Sequence, residues 1–132
     1  MIVVDSSIVV AIIRNEPDAA IWVNVIDGSP RAFMSVVSYV ETNMVIAGRR
    51  SDASSSKIDT TLKALHLAVV PVTSGQANAA VATFLRFGKG RHSAGLNLGD
   101  CFAYALAKTR NLPLLFKGDD FSQTDIVPAW RP

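Results

Sequence analysis

The stretch Met1-Ile2-Val3-Val4-Asp5-Ser6-Ser7 opens the chain and decides how the rest of it is interpreted. Its short run of aliphatic, mostly β-branched residues is typical of a strand that is buried on both faces. Asp5 follows at the carboxyl end of that strand, and ligands of open α/β sheets bind in the crevice beyond those ends. Asp and Ser are also good N-caps. From this stretch alone, Asp5 is either a functional carboxylate or only the cap of the next helix.

The composition is that of one compact domain. The 132 residues are 49% hydrophobic and 18% charged, which argues against disorder and predicts a single domain over 1–132. Cys101 is the only cysteine, so an internal disulfide is excluded and a buried structural thiol is expected. Neither a basic signal-peptide region nor an unbroken apolar span is visible, so we expect a cytoplasmic protein.

Short apolar runs alternate with helical patterns along the whole chain. We predict strands over 2–4, 31–34, 68–72 and 112–116, with a last edge strand over 125–128. Helices are predicted over 6–14, 18–27, 36–50, 75–87 and 98–111, with one more after a loop at 51–56. Ser35, Thr73 or Ser74, and Asn97 are the expected N-caps. This alternation predicts an α/β fold with a parallel sheet and helices on both faces.

Glu41 stands out in the third predicted helix. Val37, Val40, Met44 and Val45 form an apolar stripe, and the spacing places Glu41 on the same helix face. A Glu on a core-directed face is costly to bury unless it is paired or binds a cation. No Lys or Arg stands within one helical turn of it. The alternative is a Glu at the rim of the stripe that forms a salt bridge with a neighbour.

Four carboxylates are expected at one end of the sheet. Asp5 and Asp119 follow strands, Asp100 opens a helix and Glu41 lies near the start of another, so right-handed crossovers can bring them together. Like charges in one crevice raise each other's pKa unless a cation holds them ionised. Oxygen ligands suit Mg²⁺, with Mn²⁺ as a substitute. The chemistry that follows is metal-assisted hydrolysis of a phosphodiester.

The charge balance agrees with a polyanionic substrate. The net charge of +2 is too mild to indicate nucleic acid by itself. Without the four candidate ligands, seven acidic residues face 13 basic ones, and the rest of the chain carries +6. The basic residues near the predicted site, which would contact RNA phosphates, are Arg86, Lys89, Arg91, His92 and Lys117. The alternative is that these are solvated loop charges.

Four motifs in this order carry a resemblance to a known family. They are Ile2-Val3-Val4-Asp5-Ser6-Ser7, Ser38-Tyr39-Val40-Glu41, the stretch from Lys89 through Gly95-Leu96-Asn97-Leu98-Gly99-Asp100 to Ala107, and Leu114-Leu115-Phe116-Lys117-Gly118-Asp119-Asp120-Phe121. Together they span nearly the whole chain. The chain resembles the PIN-domain endoribonucleases, specifically the VapC toxins of bacterial toxin–antitoxin pairs.

The resemblance implies a three-layer α/β/α fold with a short, mainly parallel sheet, and metal-dependent cleavage of RNA. It implies that Asp5, Glu41, Asp100 and Asp119 form the catalytic acidic quartet, with Asp5 and Asp100 as direct metal ligands. Ser6 would orient Asp5 through its hydroxyl, and Asp120 would support the site. The family further implies a homodimer, inhibition by a VapB-type antitoxin, and substrates among the loops of transfer or ribosomal RNA.

Two other functions are alternatives to this one. An aspartyl-phosphate phosphatase with Asp5 as nucleophile needs a second Asp two residues later, where this chain has Ser7. A non-catalytic module that only binds RNA or a protein partner is the remaining alternative, and an intact set of acidic residues argues against it.

Overall fold

The computed structural model describes residues 1–48 and 55–132. Within these ranges, strands and helices alternate, with a short 3₁₀ helix at Phe121–Gln123 near the end. The elements are β1 (Ile2–Val4), α1 (Ser6–Ile13), α2 (Ala19–Asp27), β2 (Ala32–Ser35), α3 (Val36–Ala47), α4 (Ser55–Ala64), β3 (Leu67–Val70), α5 (Ser74–Phe87), α6 (Leu98–Arg110) and β4 (Leu114–Leu115).

The strands form one parallel sheet in the order β3-β2-β1-β4. Val3 of β1 pairs with Phe33 on one side and with Leu114 on the other, so β1 is a central strand. The chain builds the sheet outward from β1 to β3 and then returns to place β4 on the opposite side of β1. The point where the order reverses, between β1 and β4, is where open α/β sheets form a ligand crevice.

Residues of the sheet alternate between two buried clusters, one on each face. Ile2 and Val4 pack into the cluster built with α1, α2 and α4, whereas Val3 joins the cluster built with α5 and α6. Leu115 and Leu114 divide in the same way. This confirms the predicted three-layer α/β/α architecture, in which a buried parallel sheet needs helices on both faces.

The helix starts follow the predicted capping residues. The side chains of Ser35 and Thr73 accept hydrogen bonds from the backbone N–H groups of Val37 and Gln76. Asn97 caps α6, and its side chain accepts from the N–H of Asp100. These contacts satisfy N–H groups that lack an intrahelical partner.

Two expectations are corrected. The apolar stripe of α3 does not face the core: Val40 and Met44 are 50% and 68% exposed, and Ser38, Thr42 and Ile46 form the buried face. The predicted edge strand over 125–128 is reduced to a single bridge between Leu114 and Pro128. The predicted loop over 51–56 and the end of the helix over 36–50 fall partly outside the described residues.

Two further observations concern buried and apolar segments. Cys101 is a free, buried thiol, as expected. No helix in the described ranges has both the length and the apolar character needed to cross a membrane.

Leu106→Ala should lower the free energy of unfolding by about 2–5 kcal/mol. Leu106 is completely buried on α6, and truncation would leave a cavity in the tightly packed core. Urea denaturation followed by circular dichroism measures the loss. The matched control is Leu85→Ala on α5, where the side chain is 56% exposed; an equal loss in both variants would contradict this account of the core.

Candidate active site

Asp5 lies directly beyond β1 at the reversal point of the sheet and is only 3% exposed. One carboxylate oxygen accepts a hydrogen bond from the N–H of Ser7 at 3.1 Å, so Asp5 caps α1 as well. The other oxygen, Oδ1, is buried without a hydrogen-bond partner. Burial raises the pKa of Asp5 to about 6, and hydrogen bonds from Ser7 only partly offset this. A buried carboxylate oxygen without a donor is costly unless a cation binds it.

Glu41 is held at the same place by contacts from two other elements. Its Oε1 accepts a hydrogen bond of 2.5 Å from the hydroxyl of Ser6. Its carboxylate also lies against the first turn of α6, where a Cβ added to Gly99 would be 2.3 Å from an oxygen of Glu41. Only glycine therefore allows this approach, which places a negative charge at the positive end of the α6 dipole.

Asp100 lies at the centre of the cluster and interacts with the other carboxylates. Its side chain accepts from the backbone N–H of Asn97 at 3.0 Å, which completes a reciprocal capping box. Burial, together with the charges of Asp5, Glu41 and Asp120, raises the pKa of Asp100 to about 7, and the hydrogen bond from Asn97 only partly offsets this. The structure thus brings Asp5, Glu41 and Asp100 together, as predicted.

The loop after β4 separates its two adjacent carboxylates. Asp120 acts electrostatically on Asp100, whereas Asp119 lines a neighbouring cavity with Trp22 and Trp130. Both side chains are exposed. Asp120 is therefore the third carboxylate that acts on Asp100, after Asp5 and Glu41, and the catalytic role expected for Asp119 stays a prediction.

The two serines after Asp5 have roles that differ from the expected ones. Ser6 was expected to orient Asp5, but its hydroxyl binds Glu41 instead. Ser7 is the residue that binds Asp5, and its hydroxyl also accepts from the backbone N–H of Lys117 at 3.1 Å. The signal that points to Ser7 is the capping pattern, because an N-cap carboxylate binds an N–H two or three residues later.

The donor set fits the predicted cation. All candidate ligands are carboxylate oxygens, which hard cations such as Mg²⁺ and Mn²⁺ prefer. The unpartnered Oδ1 of Asp5 and the raised pKa values of Asp5 and Asp100 are the features that a bound cation would relieve. In the described part of the chain, however, no three His, Cys, Asp or Glu side chains are already arranged closely enough to hold a metal ion. The metal site therefore remains a prediction.

The five basic residues predicted to bind RNA differ in whether their charges are already paired with carboxylates. Lys117 forms ion pairs with Glu16 at 2.5 Å and with Asp18 at 3.0 Å. Arg86 lies 3.5 Å from a carboxylate oxygen of Asp125.

The remaining three lie in the exposed loop before α6. The Nδ1 of His92 accepts from a backbone N–H, and the Nε of Arg91 donates to the carbonyl of Leu85. Lys89 is exposed, and within the described residues it has no ion pair. Lys89 and Arg91 therefore offer the freest positive charges for a phosphate backbone.

Comparison with known proteins decides the family. The family model for the PIN domain matches residues 2–127. Ribonuclease VapC of Mycolicibacterium smegmatis is 46% identical over 125 residues, which cover 95% of this chain and 97% of the relative. Ribonuclease VapC30 of Mycobacterium tuberculosis is 43% identical over 130 residues, which cover 98% of this chain and 99% of the relative.

The chain belongs to the VapC ribonucleases of the PIN-domain family. Solved structures share this VapC fold at low sequence identity. Mycobacterium tuberculosis VapC20, described as a sarcin–ricin loop cleaving toxin, has a TM-score of 0.80 at 16% identity, with both chains fully covered. A toxin–antitoxin complex from Klebsiella pneumoniae has a TM-score of 0.72, also at 16% identity and with full coverage of both chains.

The metal-free VapC chain should become less stable as the pH rises from about 4 to about 8. The folded-state pKa of Asp5 is about 6, above its ordinary value of 3.8, so the folded state binds the proton more tightly than the unfolded state does. Stability is then complete below pH 4 for this group and is lost as the pH rises through 6, by about 3 kcal/mol. Thermal unfolding in EDTA at a series of pH values measures this slope.

Asp5→Asn should reduce that slope without abolishing it, because the amide does not ionise whereas Asp100, whose pKa is raised to about 7, still does. Mg²⁺ should raise the melting temperature at pH 8 more than at pH 5, because protonation competes with the cation. The matched control Asp27→Asn, at an exposed position on α2, should keep the slope of the unmodified chain. A melting temperature that rises with pH in EDTA would contradict the assignment.

Proposed function

We propose that this VapC-family ribonuclease is a magnesium-dependent endoribonuclease that cleaves phosphodiester bonds in structured loops of transfer or ribosomal RNA. The observation that carries the proposal is the convergence of Asp5, Glu41 and Asp100 at the sheet reversal point, with one buried oxygen of Asp5 unpartnered. Mn²⁺ would be a substitute for Mg²⁺, because it accepts the same oxygen ligands.

Each side chain of the cluster has a distinct part in this reaction. Bound Mg²⁺ would lower the pKa of a water molecule and neutralise charge on the phosphate oxygens. Asp5 and Asp100 would hold the cation, and the capping box with Asn97 orients the Asp100 carboxylate. Glu41 is oriented by Ser6 and carries negative charge at the edge of the same cluster. Asp120 adds a further carboxylate from the loop after β4.

A non-catalytic module that only binds RNA is the alternative, and the electrostatics of the cluster argue against it. A cluster of neighbouring carboxylates repels a phosphate backbone rather than attracts it. Such a cluster weakens RNA binding unless a cation is bound, and a cation beside a phosphate is what hydrolysis needs.

We also propose two protein partners. One is a VapB-type antitoxin that inhibits the enzyme; solved structures of this fold include a toxin–antitoxin complex and a VapBC2 complex from Rickettsia felis bound to promoter DNA. The other is a second copy of the chain. The exposed apolar face of α3, with Val40, Met44 and Val45 beside Leu98 of α6, supports self-association.

Cleavage of RNA by the purified, antitoxin-free protein should require Mg²⁺ and stop in EDTA. Asp5→Asn and Asp100→Asn should each lower the cleavage rate by at least 100-fold, on the order of the effect of losing a key electrostatic group. Gel analysis of total RNA and sequencing of the new 5′ ends measure cleavage. Far-ultraviolet circular dichroism checks that the variants are folded.

Asp27→Asn, at an exposed position on α2, serves as the matched control and should cleave at the normal rate. Full activity in EDTA would refute the metal mechanism. Near-normal cleavage by both cluster variants would refute the site.

Arg91→Ala should weaken RNA binding and reduce the slope of log affinity against log salt by about one unit. Arg91 is exposed in the loop before α6 and its charge faces no carboxylate within the described residues. Filter binding of RNA to the Asp5→Asn background in EDTA separates binding from cleavage.

The control is Arg31→Ala, because Arg31 precedes β2 and therefore lies at the opposite end of the sheet. If Arg91→Ala leaves the salt slope unchanged, the charges of this loop are solvated and do not contact RNA.

A further inference from the structure

A cavity of about 450 Å³ lies beside the acidic cluster without being part of it. This volume is within the range of small-molecule sites, about 300–1,000 Å³. Its walls include three aromatic rings, a carboxylate and a guanidinium, contributed by Trp22, Phe116, Asp119, Trp130 and Arg131. None of these side chains belongs to the group of Asp5, Glu41 and Asp100.

The cavity and the acidic cluster meet at one loop. Asp119 lines the cavity, and the next residue, Asp120, acts on Asp100 of the cluster. Consecutive Cα atoms are only about 3.8 Å apart. A nucleotide whose base occupied the cavity would therefore have its phosphates close to the cluster.

The aromatic walls offer ring surface to a flat ligand. The rings of Trp22 and Trp130 meet edge to face, with centroids 5.1 Å apart. Trp22 is buried, whereas Trp130 and Phe116 are half-buried and keep part of their surface open to the cavity. Nucleobases stack on such surfaces, and single-stranded RNA is commonly recognised in this way.

Two of the charged side chains on the wall, Asp119 and Arg131, are not neutralised by ion pairs within the described residues. In the described residues, the carboxylate of Asp119 has no ion pair, and only its backbone carbonyl is bonded, by the side chains of Ser122 and Gln123. Lys117 also lines the cavity, but its ammonium is held by Glu16 and Asp18. Arg131 is exposed and has no ion pair in the same part of the chain. The cavity therefore combines a free acceptor with a free cation.

We propose that this cavity binds an unstacked guanine base of the RNA substrate, next to the bond that is cleaved. Guanine is the base whose Watson–Crick edge presents two adjacent donors, N1–H and N2–H, and one carboxylate can accept both. Adenine presents an acceptor at N1, and uracil presents a single donor between two acceptors. Asp119 then selects the base, the aromatic rings stack on it, and Arg131 contacts a phosphate. This inference rests on the proposed function, because it names a base in the substrate of that reaction.

An apolar side chain of a protein partner is the other ligand that aromatic walls would accept. Such a side chain leaves the Asp119 carboxylate without a hydrogen-bond donor, whereas guanine provides two. The wall chemistry therefore favours the base.

The test measures binding of nucleoside monophosphates in EDTA, where cleavage does not interfere. The chain has two tryptophans, and both line the cavity, so quenching of intrinsic tryptophan fluorescence reports its occupancy. GMP should bind at least fivefold more tightly than IMP, which lacks the N2 amino group, and more tightly than AMP or UMP. Asp119→Asn should weaken GMP binding at least fivefold and leave AMP binding unchanged. Asp27→Asn is the matched control, with the same loss of charge at an exposed position on α2 away from the cavity and the cluster, and should bind GMP normally.

Equal quenching by all four nucleotides, or normal GMP binding by Asp119→Asn, would overturn the base selection. No quenching by any nucleotide, with protection of the tryptophans on adding an antitoxin, would make the cavity a protein-binding site instead.

RNA cleavage measured separately in Mg²⁺ distinguishes the two proposals. Cleavage without guanine selectivity removes only this inference, and guanine binding without cleavage removes only the proposed function.

Discussion

The burial of Asp5 at the end of the central strand is the constraint on which the rest of the site depends. The strand must be short and aliphatic to be covered on both faces, and it must end where the sheet order reverses. The carboxylate is thereby removed from water and left with one unpartnered oxygen. Glu41 and Asp100 then approach it from α3 and α6, which pack on opposite faces of the sheet. The fold brings together charges that repel each other, and the proposed cation would relieve that repulsion.

The loop after β4 is attached to this site by contacts that are distant in sequence. Its backbone binds Ser7, and the ammonium of Lys117 holds Glu16 and Asp18 on the segment between α1 and α2. The loop is therefore anchored on one side while Asp119 and Asp120 remain exposed on the other. Lys117 is better described as a positioning residue than as a contact for phosphate, since its charge is already engaged.

The structural elements that depend on residues close together in the sequence were predictable from it. The aliphatic run before Asp5, the alternation of strands and helices, and the caps Ser35, Thr73 and Asn97 all depend on neighbouring residues. The convergence of Asp5, Glu41 and Asp100 was also predictable, because parallel strands and right-handed crossovers leave few arrangements.

The errors occurred where distant residues decide the outcome. The periodicity of α3 identified an apolar face, but periodicity does not distinguish a face that packs on the core from one that is exposed. Ser6 and Ser7 are adjacent and chemically identical, and only the direction of the first helical turn determines which one meets Asp5. The engagement of Lys117 joins positions about a hundred residues apart, as its separations of 101 and 99 residues from Glu16 and Asp18 show.

The capping box at the start of α6 makes the acidic residues unequal as targets of random mutation. The Asp100 carboxylate bonds the backbone of Asn97 and so helps to start the helix; a side chain without an acceptor there removes a cap as well as a charge. The Asp5 carboxylate likewise bonds the N–H of Ser7 at the start of α1, whereas the contact of Glu41 is with a side chain, the hydroxyl of Ser6. Substitutions at Asp5 and Asp100 therefore disturb a helix start as well as the charge. Asn, which keeps an acceptor oxygen, separates the two effects.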